Sequence, residues 1–294
     1  MQADAGAANG DQTERGLIMF SSTPKKDRTR TLALAGAVTL LAAGQANAAD
    51  LYSPNSGAMA PAPAWQLELS ANVALATEYV FRGISQTDEN PAIQGGFDAS
   101  YGLFYAGVWA SNLDFGGADS NGDGIADSDI ANIEIDWYGG IKKEFHGLDI
   151  DLGVIYYTYP NAFDPGAELD YWELKGGVST KLLHDITASF TTYYAWEYTG
   201  EIGENWVFEG GLEMPLPEVL GLSPTLSGTL AYNDGDVAAG GVNYWYWNAG
   251  LGLGFYERFN LDLRYWDTDN LAGCSTATIF QCDDRYVATV SAEF

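Results

Sequence analysis

The sequence predicts an all-β fold, a transmembrane antiparallel up-and-down β-barrel of 12 strands, and three observations carry that prediction. An export signal precedes the mature chain, and no later apolar run reaches the roughly 20 residues that a membrane-spanning helix needs. Segments of period-two alternation recur to the carboxyl terminus. The last of them ends on an aromatic residue, which is typical of the final strand of outer-membrane barrels. In that segment the apolar series is Tyr286, Ala288, Val290, Ala292 and Phe294, against Arg285, Thr289, Ser291 and Glu293.

Residues 1–48 are predicted to be a signal peptide. The basic residues 25, 26, 28 and 30 precede a short apolar stretch from Thr31 to Gly44, and Ala46-Asn47-Ala48 supplies a small-residue cleavage site. Residues 1–18 form an upstream extension if Met19 is the true start. We expect a periplasmic linker rich in Pro, Ala and Ser over 49–64 and the barrel over 65–294.

Twelve segments after Trp65 show strand-like alternation or strand-forming composition, and the third and seventh alternate less regularly than the rest. The predicted strands are 66–83, 92–101, 103–113, 130–145, 148–159, 168–181, 186–197, 205–213, 225–233, 242–255, 259–268 and 284–294.

The first strand illustrates how the two faces are assigned. A basic residue on the lipid face near the bilayer midplane costs about 2 to 4 kcal/mol, and an acidic residue costs less, so charges are expected to face the lumen. The predicted lipid face therefore contains Leu67, Leu69, Ala71, Val73, Leu75, Thr77, Tyr79 and Phe81. The same rule assigns twelve lumen-lining residues across the chain: Glu68, Glu78, Arg82, Glu134, Asp136, Lys142, Glu173, Lys175, Glu209, Glu213, Asp262 and Arg264.

The lengths of the connections support the same topology. Barrels of this kind have short periplasmic turns and longer outer loops. With the amino end in the periplasm, four of the five even-numbered connections are tight, whereas the odd-numbered ones are longer and mostly acidic. An even number of strands returns the carboxyl end to the periplasm.

A family resemblance appears in the segment from Ala71 to Phe115, ANVALATEYVFRGISQTDENPAIQGGFDASYGLFYAGVWASNLDF, and in IEIDWYGG (133–140) and DLGVIYYTYP (151–160). These residues resemble the TorF family of porin-like proteins, also called the Gcw_chp group. The resemblance extends over essentially the whole mature chain. It implies a barrel in the bacterial outer membrane with a pore role, and it implies no catalytic residues.

An acidic insertion after Phe115 is the candidate metal site. Its oxygen-bearing residues alternate and are followed by a glycine, which is how Ca²⁺-binding loops begin. The residue at the twelfth position is Ile130, where an EF-hand has glutamate, so a solvated acidic loop is the alternative. The candidate ligands are Asp119, Asn121, Asp123, Asp127 and Asp129.

Cys274 and Cys282 are the two cysteines, and both fall in the last outer loop. An even pair exported to an oxidising compartment predicts a disulfide. Closing so short a loop stabilises the fold by about 2 to 3 kcal/mol in the chain-entropy model. Two reduced thiols that bind a metal are the alternative.

The charge of the chain bears on what passes through it. Asp and Glu number 40 against 13 Lys and Arg, a net charge of −27. An acidic lumen attracts cations and repels anions, and no nucleic-acid partner is expected. We expect outer-membrane lipid, small solutes and, through the carboxyl-terminal strand, the barrel-assembly machinery as partners, with no cofactor required. The alternative is a lumen plugged by salt-bridged side chains, because twelve strands permit either arrangement.

Three other classes remain as alternatives: an outer-membrane lipid hydrolase, a surface-interaction barrel and a secreted β-sandwich. A hydrolase would need a Ser/His pair near the outer rim. The histidines, His146 and His184, both fall in predicted periplasmic turns. We therefore expect no enzyme.

Overall fold

A closed antiparallel barrel of twelve strands forms the fold. The computed structural model describes residues 65–119, 126, 128–163, 168–269 and 281–294. The predicted signal peptide and linker lie outside these residues. Each strand pairs with its sequence neighbours, and the first pairs with the last, which confirms the predicted fold class. The strands are β1 (Leu67–Ala76), β2 (Ala92–Tyr101), β3 (Phe104–Asn112), β4 (Ile133–Phe145), β5 (Leu148–Thr158), β6 (Tyr171–Lys181), β7 (Thr187–Ala195), β8 (Asn205–Pro215), β9 (Ser223–Gly235), β10 (Asn243–Phe255), β11 (Phe259–Asp269) and β12 (Arg285–Glu293).

The connections alternate between short turns at one end of the barrel and longer segments at the other. The short ones follow even-numbered strands, and one of them contains a 3-10 turn, Leu183–Asp185. The connections after odd-numbered strands are longer, except that the one after β9 and the one after β8 both have seven residues. Both ends of the barrel sequence lie at the end with the short turns. We call this the periplasmic end and the other the outer end.

No helix within the described ranges is both long enough and apolar enough to span a membrane.

The outer face of the barrel is an apolar belt. Inside a bilayer every backbone polar group must pair within the protein, and a closed barrel achieves this while its outward side chains meet lipid. The exposed large apolar side chains come from nearly every strand and include Leu69, Leu75, Ile93, Leu152, Leu174, Leu212, Leu230, Leu263 and Val290. A soluble β-sandwich would bury these side chains between its sheets, so that alternative is wrong.

Two aromatic girdles border the belt. At the outer end, outward-facing rings pair across neighbouring strands, with centroids 4.2 Å apart for Tyr156 and Trp172 and 5.0 Å apart for Tyr232 and Trp245. At the periplasmic end Phe255 stacks on Phe259 at 5.6 Å. On β10, Trp245 and Phe255 are ten residues apart, which at about 3.3 Å per residue and a tilt of about 40° gives a height of about 25 Å. That height matches the apolar band of an outer-membrane barrel.

The first strand is shorter than the predicted 66–83. It ends at Ala76, and a two-residue hairpin follows, in which Val80–Phe81 pairs with Ile84–Ser85. The turn of this hairpin holds Arg82 at φ 47° and Gly83 at φ 84°, a left-handed conformation that no continuous strand adopts. The predicted lipid-facing positions of Tyr79 and Phe81 are therefore wrong, and both side chains are buried.

The outward face gives the first prediction. Replacing Leu174, which is exposed near the middle of β6, by arginine places a charge in lipid, and it is expected to lower the free energy of unfolding by about 2 to 4 kcal/mol. The measurement is denaturant unfolding of the barrel in liposomes. The matched control is Ser179→Arg on the opposite face of the same strand, with a much smaller expected effect. Equal losses for both variants would contradict the assignment of the faces.

Candidate functional site

A segment that connects β1 to β2 folds back into the barrel and fills its outer half. We call residues 78–87 the plug. All of them except Ser85 are buried, and Arg82 and Gln86 are fully so. The sequence favours this burial because the segment is rich in apolar and aromatic residues at positions where a solvent-exposed loop would be polar.

The plug contacts the barrel wall on several sides. The hydroxyl of Tyr79 donates to Oε1 of Glu134 on β4 at 3.1 Å, and its ring packs edge-on against Trp109 of β3 at 5.3 Å. Glu78 forms an ion pair with Arg285 of β12. The plug also reaches Tyr246 of β10 and, on the far side of the barrel from β1, Glu173 of β6, so it crosses the lumen rather than lining it.

The tip of the plug fits closely against β10 and β11. A Cβ atom built on Gly83 would overlap the methyl group of Thr268 and would lie 3.1 Å from Cβ of Tyr246. Gly83 also has a positive φ, as described above. Glycine therefore meets both a conformational and a steric requirement at this position.

The strongest polar contact of the plug is the ion pair between Arg82 and Glu173 of β6. Nη1 and Nη2 of Arg82 donate to the two carboxylate oxygens at 3.0 and 2.9 Å, and both side chains are 0% exposed. The guanidinium also lies over the rings of Phe81 and Tyr193, 4.6 and 4.9 Å from their centroids. The hydroxyl of Tyr157 donates to the same carboxylate at 3.1 Å. Because neither charge reaches solvent, removing one partner would leave the other buried without compensation.

Inward-facing side chains complete the closure of the outer half. Every one of the twelve strands contributes at least one inward side chain that is buried, and many are aromatic. Tyr157 stacks on Tyr171 with centroids 4.4 Å apart, and Tyr171 in turn meets Tyr198 edge-on at 4.9 Å. The outer half is therefore filled by the plug and by the inward rings Trp109, Tyr157, Tyr171, Tyr193, Tyr198, Tyr244, Tyr246 and Trp266.

The periplasmic half of the lumen is polar and only partly buried. Two groups of charged side chains line its wall. In one, Nζ of Lys175 and Nζ of Lys142 lie 3.2 and 3.7 Å from Oδ2 of Asp151. In the other, Arg264 pairs with Asp262 at 2.9 Å and donates to Asn248 and Ser227 at 2.6 and 2.8 Å. Lys175 and Arg264 are buried, whereas Lys142, Asp151 and Asp262 keep part of their surface exposed in this half.

Large side chains in the periplasmic half lie flat against glycines of neighbouring strands. The hydroxyl of Tyr105 passes over Gly140 and Gly153 and donates to Asp151 at 2.7 Å. The guanidinium of Arg264 lies over Gly250, where a Cβ would be 2.8 Å from Cζ. These side chains therefore lie along the wall rather than pointing across the lumen.

The structure places the twelve sequence-predicted lumen residues as follows. Glu134, Asp136, Glu173, Lys175, Glu209 and Arg264 are buried on inward strand positions, and Lys142 and Asp262 are partly buried there. Glu68 and Glu213 are exposed at the periplasmic end. Glu78 and Arg82 are buried on the plug rather than on the barrel wall. The structure thus brings Arg82 to Glu173 and Arg264 to Asp262.

Sequence reasoning missed the inward aromatic residues and Arg285. The alternation places Tyr157, Tyr171 and Tyr246 on the face opposite to the lipid-facing residues, so their direction was readable. Their role in closing the outer half could not be predicted, because it depends on the plug, whose residues the sequence pattern assigned to the first strand.

The predicted metal loop is described only at its base, where Gly117–Ala118 pairs with Ser128–Asp129. Asp119 and Asp129 lie in the described part, whereas Asn121, Asp123 and Asp127 lie outside it. Within the described part no group of three or more His, Cys, Asp or Glu side chains is placed to hold a metal. The Ca²⁺ site stays a prediction.

The predicted disulfide is described at one cysteine. Cys282 is buried and disulfide-bonded. Cys274 lies outside the described residues, so its pairing with Cys282 stays a prediction.

Comparison with solved structures returns outer-membrane proteins. A KdgM porin in complex with disordered oligogalacturonate has a TM-score of 0.47 and 6% identity, over 77% of this chain and 97% of that chain. LpxR from Salmonella typhimurium has a TM-score of 0.41 and 11% identity, over 76% and 99%. OmpF of Salmonella typhi has a TM-score of 0.38 and 11% identity, over 78% and 97%. At these scores the similarity says nothing about what this chain carries or catalyses. No curated protein matches the chain significantly.

A family model covers the whole barrel sequence. The model described as "bacterial protein of unknown function (Gcw_chp)" matches residues 60–294. A bacterial chain that closes into a barrel with an apolar belt between two aromatic girdles lies in the outer membrane. With the match extending over the barrel from end to end, the chain belongs to the Gcw_chp family.

Proposed function

We propose that this barrel is a porin-like conduit for the passive diffusion of small, preferably cationic solutes, and that the plug limits its conductance. One observation carries the proposal: the outer half is closed by a ten-residue connection, whereas the periplasmic half is lined by polar wall residues. A barrel that served only as a membrane anchor would have no need of a charged, partly exposed half. Diffusion then depends on how firmly the plug is held.

The plug is held by side chains and by two backbone hydrogen bonds, in which the amide of Ser85 donates to the carbonyl of Gln281 at 2.9 Å and the amide of Asp114 donates to the carbonyl of Gln86 at 2.9 Å. Its strongest polar contact is the Arg82–Glu173 ion pair, and its tip rests on Tyr246 and Thr268. Buried ion pairs contribute little net stability because desolvation offsets most of the Coulomb attraction, but an orphaned partner is costly. Displacement of the plug therefore becomes easier when its electrostatic match to β6 is altered.

Cation preference is the finer part of the proposal. In the outer half five buried acids, Glu78, Glu134, Asp136, Glu173 and Glu209, face two buried bases, Arg82 and Arg285. The net charge of −27 adds a long-range field of the same sign. A cation entering between these residues is attracted, and an anion is repelled.

A second candidate function is a structural or surface-interaction barrel with a permanently filled lumen. The complete burial of Arg82 and Glu173, with buried inward side chains on every strand, favours it. A lipid hydrolase has less support, because His146 and His184 lie in turns at the periplasmic end.

We further propose that within its family the chain groups with the TorF porin-like proteins. We also propose that β12 is recognised by the barrel-assembly machinery, and that nucleic acid is not a partner.

The plug gives the second prediction. Arg82→Ala removes both hydrogen bonds to Glu173 and is expected to raise single-channel conductance in planar bilayers severalfold over the native barrel. Lys143→Ala removes one positive charge from an exposed residue on the outward face of β4, and its conductance is expected to equal that of the native barrel. If Arg82→Ala conducts no better than the native barrel, the permanently filled lumen is supported instead.

A crosslink at the tip of the plug tests the same point, and the reduced form of the same variant controls for the strain that any side chain at Gly83 introduces. The Gly83→Cys/Thr268→Cys pair brings two Cβ atoms to disulfide range at the tip of the plug. Introduced into the Arg82→Ala barrel, the oxidised crosslink is expected to return conductance to the native level, and reductant is expected to release it. Arg82→Ala barrels given the same reductant control for its effect on the native cysteines. If the crosslink leaves the conductance unchanged, ions cross the barrel by a pathway that the plug does not block.

Ion selectivity gives the third prediction. In a tenfold KCl gradient the reversal potential is expected to have the sign of a cation-selective channel, because the acidic side chains exclude chloride. Replacing Glu209, a buried acid on the inward face of β8, by glutamine is expected to move the reversal potential toward zero. The control is Glu257→Gln, an exposed residue in the turn between β10 and β11. A reversal potential of the opposite sign in the native barrel would refute cation preference.

A further inference from the structure

Two carboxylates on β4 lack the partners that buried charges require. Glu134 and Asp136 are 0% and 1% exposed and occupy successive inward positions of the strand. Oε1 of Glu134 accepts the hydrogen bond from Tyr79 at 3.1 Å. Oε2 of Glu134 and both carboxylate oxygens of Asp136 have no hydrogen-bond partner among the described residues.

The nearby positive charges are committed to other acids. Arg82 pairs with Glu173, Lys175 with Asp151 and Arg285 with Glu78. Within the described ranges no ion pair reaches Glu134 or Asp136. Glu173 is close enough to repel Asp136, but Arg82 compensates the negative charge of Glu173. The wall residues opposite the pair, Ser111 opposite Glu134 and Trp109 and Tyr157 opposite Asp136, carry no compensating charge.

A second observation comes from β5 and its outer connection. Tyr159 is 3% exposed, and its hydroxyl is directed at Glu134. That hydroxyl nevertheless has no hydrogen-bond partner among the described residues. Its ring is held by Phe115, with centroids 5.7 Å apart. A buried hydroxyl that lies beside a carboxylate without a hydrogen bond of normal geometry leaves both groups able to bind a common third partner.

We propose that Glu134 and Asp136 bind one divalent cation of the Ca²⁺ class, with the hydroxyl oxygens of Tyr79 and Tyr159 as neutral ligands. Two carboxylates match the charge of a divalent ion. Each can supply two oxygens, and with two phenol oxygens the set reaches about six hard ligands, the lower end of the range for Ca²⁺. Like charges brought this close in a buried site require a proton or a metal to neutralise them. The oxygen-only ligand set favours a hard metal ion over Zn²⁺ or copper.

The site joins the plug to the wall, because Tyr79 belongs to the plug whereas Glu134 and Asp136 belong to β4. It shares no residue with the acidic loop 119–129, in which the sequence also predicts a Ca²⁺ site. It does not depend on whether the barrel conducts, since binding can be measured directly.

Terbium luminescence tests the site. Tb³⁺ replaces Ca²⁺ in oxygen sites and emits when an adjacent tyrosine or tryptophan is excited, and Tyr79, Tyr159 and Trp109 surround this pair. The full chain, refolded in detergent with Tb³⁺, is expected to show sensitised emission that Ca²⁺ displaces. Glu134→Gln/Asp136→Asn preserves the shapes of both side chains and is expected to lower Tb³⁺ affinity more than about tenfold. Asp136→Asn alone serves if the double variant does not refold.

Two controls separate this site from other acids. Asp98→Asn changes an inward carboxylate that accepts from Tyr138 in the periplasmic half, and Asp119→Ala/Asp123→Ala alters the acidic loop. Both are expected to keep the emission and its displacement by Ca²⁺. Emission that survives Glu134→Gln/Asp136→Asn but disappears with the loop variant would overturn the proposal in favour of the loop. Absence of emission from the native barrel would overturn it in favour of a shared proton.

Discussion

Pairing of the first strand with the last is the constraint on which the rest of the structure depends. Asn72 to Ala76 of β1 lie opposite Glu293 to Thr289 of β12. The terminal residue continues the pairing, because the amide of Phe294 donates to Ala71 at 2.9 Å and its carbonyl accepts from Ala71 at 3.1 Å. Without this closure two strand edges would expose unpaired amides and carbonyls to lipid, at several kcal/mol for each group. Closure sets the circumference, and the circumference sets what must fill the interior.

Twelve strands enclose more space than inward side chains alone fill, and for that reason the interior is divided into two halves. In the outer half a folded connection and large rings occupy that space. In the periplasmic half glycines such as Gly140 and Gly250 let Tyr105 and Arg264 lie along the wall. The two halves thus use opposite packing strategies on the same strands. The outer half holds the Arg82–Glu173 and Arg285–Glu78 pairs together with Glu134 and Asp136, which no described ion pair reaches, whereas Lys142, Lys175 and Arg264 toward the periplasm are paired with acids.

The barrel could be predicted from the sequence because its signal is local. Alternation in β1, β4 and β12 fixes which face meets lipid, and connection lengths fix the order of the strands. The irregular alternation of β3 has a local cause too, because Gly107 occupies an inward position beneath the ring of Tyr138. The plug could not be predicted in the same way. Alternation continues from Ala76 through Tyr79 and Phe81, and only the three-dimensional contacts of Arg82 and Gly83 show that the chain has left the wall.

Prediction of the site was likewise limited by contacts between distant residues. The charges of Arg82 and Glu173 were assigned to the lumen, but nothing in their local sequence pairs residues 91 positions apart. The aromatic filling follows from the same alternation that marks the lipid face, read on the opposite side. Its function becomes visible only when the rings of β5, β6 and β10 converge on one segment.

Because the plug is joined at one end to β1 and at the other to β2, it never leaves the barrel that it closes. A covalently tethered segment meets its binding surface at a high effective concentration, on the order of millimolar for a short linker. Contacts too weak to hold a separate peptide are therefore sufficient to keep it docked. Under the proposed function, the fraction of time that the lumen stands open is set by small differences in free energy, which makes it sensitive to single substitutions and to bound ions.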